Sequence, residues 1–264
     1  MSVPSKPLAN VVDEGGRVVA ASTDRSLAVR LLGGLGVAAH DHREFPAALH
    51  RQYADVDLVV APRDGRALSA NLLALGYLPN ERFNALHGAR RMLFYDRQNQ
   101  RQLDVFVGEF AMCHQLDLRE RLDRHPTALD AADLLLTKLQ IVQLNRKDAL
   151  DALRLMLGHE LAAGDERELP DGPGTLSLGR LSAVTRSDWG WYTTFTDNLS
   201  AVATVGRQLL DETAAALAIG RIEAILAAVA EAPKSARWKA RAIVGRRVPW
   251  YQLPEEVAGS GGNT

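Results

Sequence analysis

The sequence predicts an α/β (α+β) chain, in which a mixed, twisted sheet with flanking helices is followed by an all-helical C-terminal domain. Three observations carry that reading. Short β-branched or apolar runs of strand length fall at 29–32, 55–60, 91–95 and 103–107, with helical stretches among them. Beyond Pro126 the apolar residues fall at helical spacing, and no convincing strand pattern returns. Within that helical part, residues 163–175 hold Gly164, Pro170, Gly172, Pro173 and Gly174 among acidic residues, the composition of a linker. The expected organisation is a loose N-terminal segment over 1–20, a first domain over 21–162, the linker 163–175, a helical domain over 176–255 and a disordered tail over 256–264.

Composition removes several function classes. With 47 % hydrophobic and 24 % charged residues and a formal net charge of −1 over 264 residues, the chain has an ordinary globular balance and no global attraction to an acidic or basic partner. The lone Cys113 cannot form an internal disulfide, and no N-terminal stretch combines basic residues with an apolar run. No uninterrupted apolar run approaches the roughly 20 residues of a membrane span, so a cytoplasmic protein is expected. Lysine occurs only at 6, 138, 147, 234 and 239, which draws attention to Lys138 in an otherwise apolar stretch.

Taken in order, Asp13 to Gly16 reads as a breaker with a short element near Val18, and Ser22 and Thr23 read as caps of a short helix. The run 29–32 is a strand, Gly33 and Gly34 a turn, and 35–39 a helix. Pro62, Asp64 and Gly65 end the strand 55–60 before a helix over 66–75, which Gly76 closes. The runs 91–95 and 103–107 flank polar residues as a hairpin does. Leu134, Leu135, Leu139, Val142 and Leu144 predict a largely buried helix, and Asn145 caps the next one. Leu217, Ile219, Ile222, Ile225, Leu226 and Val229 share a face of a later helix.

The chemistry lies in the carboxylates. Asp55 and Asp57, two apart in a strand, point to one face, while Val56, Leu58 and Val60 point to the other. Asp104 repeats the pattern in a second strand, with Leu103, Val105 and Val107 turned inward. Carboxylates held close together repel unless a cation neutralises them, and an all-oxygen donor set favours a hard ion such as magnesium. Such clusters hold two metal ions in phosphoryl transfer, one lowering the pKa of the attacking hydroxyl and one stabilising the leaving pyrophosphate. Gly33 and Gly34, lacking side chains at a strand-to-helix turn, let backbone N–H groups approach a triphosphate. Singly, a glycine pair is more often a tight turn and Asp-x-Asp a solvated strand end; it is their order along the chain that packing does not require.

Leu32-Gly33-Gly34, Asp55-Val56-Asp57-Leu58 and Leu103-Asp104-Val105 resemble the three motifs of the nucleotidyltransferase superfamily with the DNA polymerase β-like fold. Within it the chain is most similar to AbiEii-type abortive-infection and toxin nucleotidyltransferases. Arg51 stands four residues before Asp55 as in that branch, and Lys138-Leu139, Lys147-Asp148 and Asp151 match its later helical motif. The resemblance spans about 28–157. It implies a nucleotidyltransferase-type sheet, a magnesium-dependent and pyrophosphate-releasing enzyme, and a nucleoside triphosphate (NTP), ATP among the possibilities, as substrate. Asp55, Asp57 and Asp104 would hold two Mg2+ ions. Gly33, Gly34, Arg51 and Lys138 would bind nucleotide, and Lys138 and Asp148 would complete the catalytic set. The acceptor is open among tRNA, a protein and a small molecule such as an aminoglycoside, and an antitoxin protein is the implied partner. Three departures stand out: a long gap from Gly34 to Asp55, which suggests a loop insertion near 40–48, Leu32 in place of Lys, and Tyr53 where Ser or Thr is common. The last two keep open a catalytically silent, nucleotide- or partner-binding member of the same fold. A nucleotide-sugar glycosyltransferase also uses Asp-x-Asp, although it would call for neither Asp104 nor the glycine turn.

Other features favour structural readings. His40 and His42 sit in a polar stretch without cysteine partners for zinc and read as surface histidines, and Cys113-His114 reads as a buried small residue beside a chance histidine. For Asp148 a helix-start role is as good an account as a catalytic one. Lys234, Arg237, Lys239, Arg241, Arg246 and Arg247, with Trp238 among them, favour a solvated helix face about two to one over RNA binding. Trp189, Trp191 and Tyr192 read as anchors of the helical core.

Overall fold

The computed structural model describes residues 6–41, 43–164 and 174–253. It begins with a helix, α1 (Val11–Thr23), where the sequence reading has a loose segment. Asn10 caps it by accepting from the N–H groups of Val12 and Asp13, and Asp13 and Glu14 suit the positive end of the helix dipole. Gly15, read as part of a breaker, lies inside the helix, and a Cβ there would sit 3.1 Å from methyl groups of both Leu31 and Leu35. Close packing on those leucines explains the residue. Ser22 and Thr23 end α1 instead of capping a later helix, their hydroxyls donating to Val18 O and Val19 O.

The elements that follow are β1 (Val29–Leu32), α2 (Gly33–Ala38), β2 (Val56–Val60), α3 (Gly65–Ala74), β3 (Leu78–Pro79), α4 (Glu81–His87), β4 (Arg91–Asp96) and β5 (Arg101–Val107). Gly76 closes α3 as the sequence suggests, at φ +95° and donating to Leu73 O. The strands form one mixed five-stranded sheet in the order β1-β2-β5-β4-β3, with β2 and β5 parallel and the other pairs antiparallel. Alternation divides the sheet cleanly. Val56, Leu58, Val60, Leu103, Val105 and Val107 pack with α1 and α3 in one apolar cluster. Val59 and Phe106 join Leu32 in a second cluster on the opposite face. The face that carries the aspartates is therefore mixed, with Leu32, Val59, Leu93 and Phe106 beside the polar Asp57, Asp104, Arg91 and Gln102.

A small hairpin, β6 (Glu109–Ala111) with β7 (Gln115–Asp117), leads to α5 (Ala131–Leu139) and α6 (Arg146–Gly158). Helix α5 stops at Leu139, so Val142 and Leu144 lie beyond it. Asn145 caps α6 through the Asp148 N–H, as its sequence predicts. Strands β8 (Glu160–Ala162) and β9 (Thr175–Ser177) pair in parallel on either side of the expected linker, whose residues 165–173 lie outside the described residues, as do His42 and the tail.

The C-terminal region is helical, with α7 (Leu178–Thr185), α8 (Trp189–Leu209), α9 (Glu212–Glu231) and α10 (Ala236–Val244). The apolar core continues across the expected linker: the cluster that starts at Leu32 and Val59 runs through α5 and α6 to Phe195, Leu199, Ile222 and Val229. Trp191 anchors α8, its indole N–H donating to Gln115 O. By length and composition α9 is apolar enough to cross a membrane, which the sequence reading did not anticipate; Ala218, Ile222, Ile225 and Val229 on one side of it lie in this core.

Candidate active site

The polar end of the aspartate-bearing face opens into a cleft of about 360 Å³. It is lined by Gly33, Asp55, Asp57, Asp104, Lys138 and Asp148 among the residues singled out by sequence. Strand register brings the first of these together. Leu32, the last residue of β1, is opposite Asp57 in β2, and Asp57 is opposite Asp104 in the parallel neighbour β5. Asp55 precedes β2 by one residue, so it lies at the mouth. Gly33 follows β1 at φ +65°, and a Cβ on it would come within 2.1 Å of Asp57 Oδ2. Only glycine suits both that backbone conformation and that carboxylate.

Burial dominates the proton affinity of these acids. Burial pushes the Asp57 carboxyl up to about 7, and the neighbouring Asp104 adds to the rise while Lys138 opposes it. Burial also raises Asp104, against the pull of Arg91, and raises Asp55, against Lys147. The lining holds four carboxylates, those of Asp55, Asp57, Asp104 and Asp148, and two cations, Arg91 and Lys138. With every group ionised the cleft carries an excess of two negative charges.

Lys138 comes from the end of α5 and is nearly buried. Its Nζ donates to Asp148 Oδ1 at 2.8 Å and lies 2.9 Å from Asp151 Oδ2. Burial pulls the ammonium down, yet Asp148 and Asp151 outweigh it and hold its pKa above the ordinary lysine value. Asp148 and Asp151 are one helical turn apart on α6, which is why both reach one ammonium. Gly34 and Arg51 are not lining residues. Arg51 Nη1 pairs with Asp151 Oδ2 at 2.5 Å, and a Cβ on Gly34 would meet Arg51 Nη2 and Tyr53 at 2.8 Å. Gly34 thus admits the Arg51 and Tyr53 side chains, and Arg51 supports Asp151. The Tyr53 hydroxyl in turn accepts from Arg154.

Sequence reasoning missed Arg91. Its Nε donates to both Asp104 oxygens at 3.0 Å and its Nη2 to Oδ2 at 2.5 Å. Arg91 faces Phe106 in the β4–β5 register, with Asp104 opposite Leu93, so the pair is a diagonal cross-strand contact on one face. The hairpin predicted over 91–107 contains both residues, but the strands read there pair Arg91 with Val107, one residue out of the observed register, which would put Arg91 and Asp104 on opposite faces. The apolar lining from Phe106, Phe110, Met112 and Ile141 was likewise unanticipated.

The donor set suits a hard divalent cation in charge and in its all-oxygen character. Among the described residues no three His, Cys, Asp or Glu side chains form a ready-made metal cage, and both oxygens of Asp104 are engaged by Arg91. Comparison with known proteins adds no assignment: no family model matches the chain, and no curated protein matches it.

Proposed function

We propose that the chain is a magnesium-dependent nucleotidyltransferase with a DNA polymerase β-like catalytic fold, similar to the AbiEii-type enzymes. It moves a nucleoside monophosphate from an NTP to an acceptor hydroxyl or phosphate and releases pyrophosphate. One observation carries the reading: Gly33, Asp55, Asp57, Asp104, Lys138 and Asp148, drawn from five separate stretches of sequence, line a single cleft whose excess of two negative charges matches a divalent cation. Packing alone gives no reason to bury a carboxyl beside a second one until burial and its neighbour push it up to about 7.

Asp55 and Asp57 would hold magnesium, joined by Asp104 once its oxygens are released. Bound magnesium supplies charge neutralisation at the triphosphate and a lowered pKa at the acceptor hydroxyl. The remaining work falls to the chain itself. Gly33, lacking a Cβ, lets the Asp57 carboxylate sit directly against the backbone of the turn, where its N–H groups can also meet a phosphate. Lys138 supplies a fixed positive charge at the cleft wall, and the Asp148 and Asp151 carboxylates keep it protonated. Phe106, Phe110, Met112 and Ile141 offer an apolar wall against which a base or an acceptor can exclude water.

The test is incubation with each labelled NTP, magnesium and total cell RNA or extract. Labelled product formed by the wild type and lost in Asp57→Asn is expected. Arg91's hold on Asp104 favours a second reading, a nucleotide-binding member without turnover. Magnesium-dependent NTP binding without any labelled product would select it. Absence of NTP binding, or a response to nucleotide sugars alone, would overturn both.

A further inference from the structure

Arg91 is the most exposed of the three cations that form ion pairs with the carboxylates of the site and its wall. Lys138 lies between two carboxylates and Arg51 is tied to a fully buried one, whereas the Arg91 side chain is 19 % exposed and stands at the first residue of β4. Its guanidinium carbon lies 5.0 Å from the centre of the Phe106 ring and 6.0 Å from that of Phe83. Aromatic faces at these distances attract a guanidinium whether or not it also holds a carboxylate. They therefore offer it a resting place in the cleft wall after Asp104 is given up.

We propose that Arg91 is an internal latch: in the free protein its guanidinium occupies the Asp104 carboxylate, and on entry of a divalent cation it yields those oxygens and turns to the phosphates of bound nucleotide. The inference rests on the nucleotidyltransferase reading of the cleft. Both oxygens of Asp104 accept from Arg91, so a cation that binds them must first displace the guanidinium, and the two positive charges repel at such range. A planar fork that matches a carboxylate matches a phosphate equally well, so bound nucleotide gives the released group an anion of the shape it has just left. The latch thus couples cation and nucleotide binding. It weakens occupation by the cation alone and strengthens occupation by both together.

The experiment measures manganese(II) binding to the full chain by loss of the free-ion paramagnetic resonance signal, with and without a non-hydrolysable ATP analogue. Wild type is compared with Arg91→Gln, Arg91→Lys and Asp57→Asn, each checked for folding by thermal melting. A latch closed in about nine molecules of ten raises the apparent Kd for the ion about tenfold, so Arg91→Gln is expected to bind manganese about tenfold more tightly than wild type in the absence of nucleotide. With manganese saturating, Arg91→Gln is expected to bind the analogue more weakly than wild type. Arg91→Lys, which keeps the charge but loses the fork, is expected to fall between, and it serves in place of Arg91→Gln if that variant does not fold. Equal or weaker manganese binding in folded Arg91 variants, with wild-type binding that Asp57→Asn abolishes, overturns the latch and leaves the active-site reading intact. No manganese binding by wild type or by the Arg91 variants, even with the analogue present, overturns both.

Discussion

Asp57 and Asp104 are direct partners across the one parallel strand pair of the five-stranded sheet, and Gly33 closes the space on the β1 side of Asp57. Two carboxylates so held compete for one counter-charge. Burial and then the neighbouring Asp104 raise the Asp57 carboxyl, and Lys138 and the Arg91 that pairs with Asp104 offset only part of that imbalance.

That imbalance sets a pH dependence. The Asp57 carboxyl is raised from 3.8 to about 7, so the folded protein binds a proton there that the unfolded chain releases. Stability of the metal-free protein therefore falls as pH rises from about 4 to about 7 and is level above. Asp57→Asn removes this slope. In chelator its melting temperature should exceed that of wild type most at about pH 8 and converge with it near pH 4. A constant offset between the two across that range would show that Asp57 is already compensated.

Asp104→Asn should separate turnover from nucleotide affinity. Asp55, Asp57, Gly33 and Lys138 remain to hold nucleotide, so pyrophosphate release is expected to fall far more than nucleotide binding. The variant also leaves the Arg91 guanidinium with a weaker partner, which costs on the order of 1–3 kcal/mol of stability. Steady-state kinetics beside a urea titration checks both. Wild-type turnover in the folded variant would remove Asp104 from the chemistry.

The two glycines should differ in cost. Gly33→Ala forces a Cβ against the Asp57 carboxylate at a positive φ, a conformation that alone costs roughly 1–2 kcal/mol. Manganese binding is expected to be lost as Asp57 is pushed aside. Gly34→Ala meets only the movable side chains of Arg51 and Tyr53 and no positive φ, so its loss in melting temperature should be the smaller. Equal losses would mean that the Arg51–Tyr53 wall is as rigid as the carboxylate.

Lys138→Met tests the buried ion network. It leaves Asp151, fully buried, with Arg51 alone and removes the ammonium from Asp148. Breaking such a network by removing one partner costs about 3–5 kcal/mol, and the surviving Arg51 contact puts the loss at the lower end. Triphosphate affinity and turnover are expected to fall together, because the charge meets the nucleotide before as well as during reaction. Unchanged affinity in calorimetry would confine Lys138 to a structural role.

The basic strip divides into structural and solvent-facing residues. Arg241 donates to the carbonyls of Gly245 and Val248 and lies over Trp189, Arg246 pairs with Asp197, and Lys234 donates to carbonyls at the end of α9. Arg241→Ala is expected to cost about 1 kcal/mol, while the exposed pair Arg237→Ala and Lys239→Ala should leave the melting curve within error. If the acceptor is RNA, that pair should instead flatten the salt dependence of RNA binding. A large stability loss in the exposed pair would show a packing role that their exposure does not suggest.

Much of this is written in the sequence locally. Period-two alternation in 55–60 and 103–107 assigns Asp57 and Asp104 to the face opposite Val56, Leu58, Leu103 and Val105, because side-chain direction in a strand depends only on the chain's own pleat. Asn145 and Gly76 mark helix ends for equally local reasons, a side-chain acceptor and a left-handed backbone. Tertiary structure alone decides which carboxylates meet and which cations answer them. Alternation specifies a face but not a register, so the pairing of Asp57 with Asp104 depends on the β2–β5 alignment. Arg51 and Asp151 are 100 residues apart and Arg91 and Asp104 are 13 apart, and neither contact leaves a periodic trace in sequence. The early glycines likewise resemble a break until Leu31 and Leu35 supply the surface that Gly15 packs against. Charge and shape partners are properties of the assembled chain, since an ion pair is fixed by distance in space and a glycine by what lies beside it.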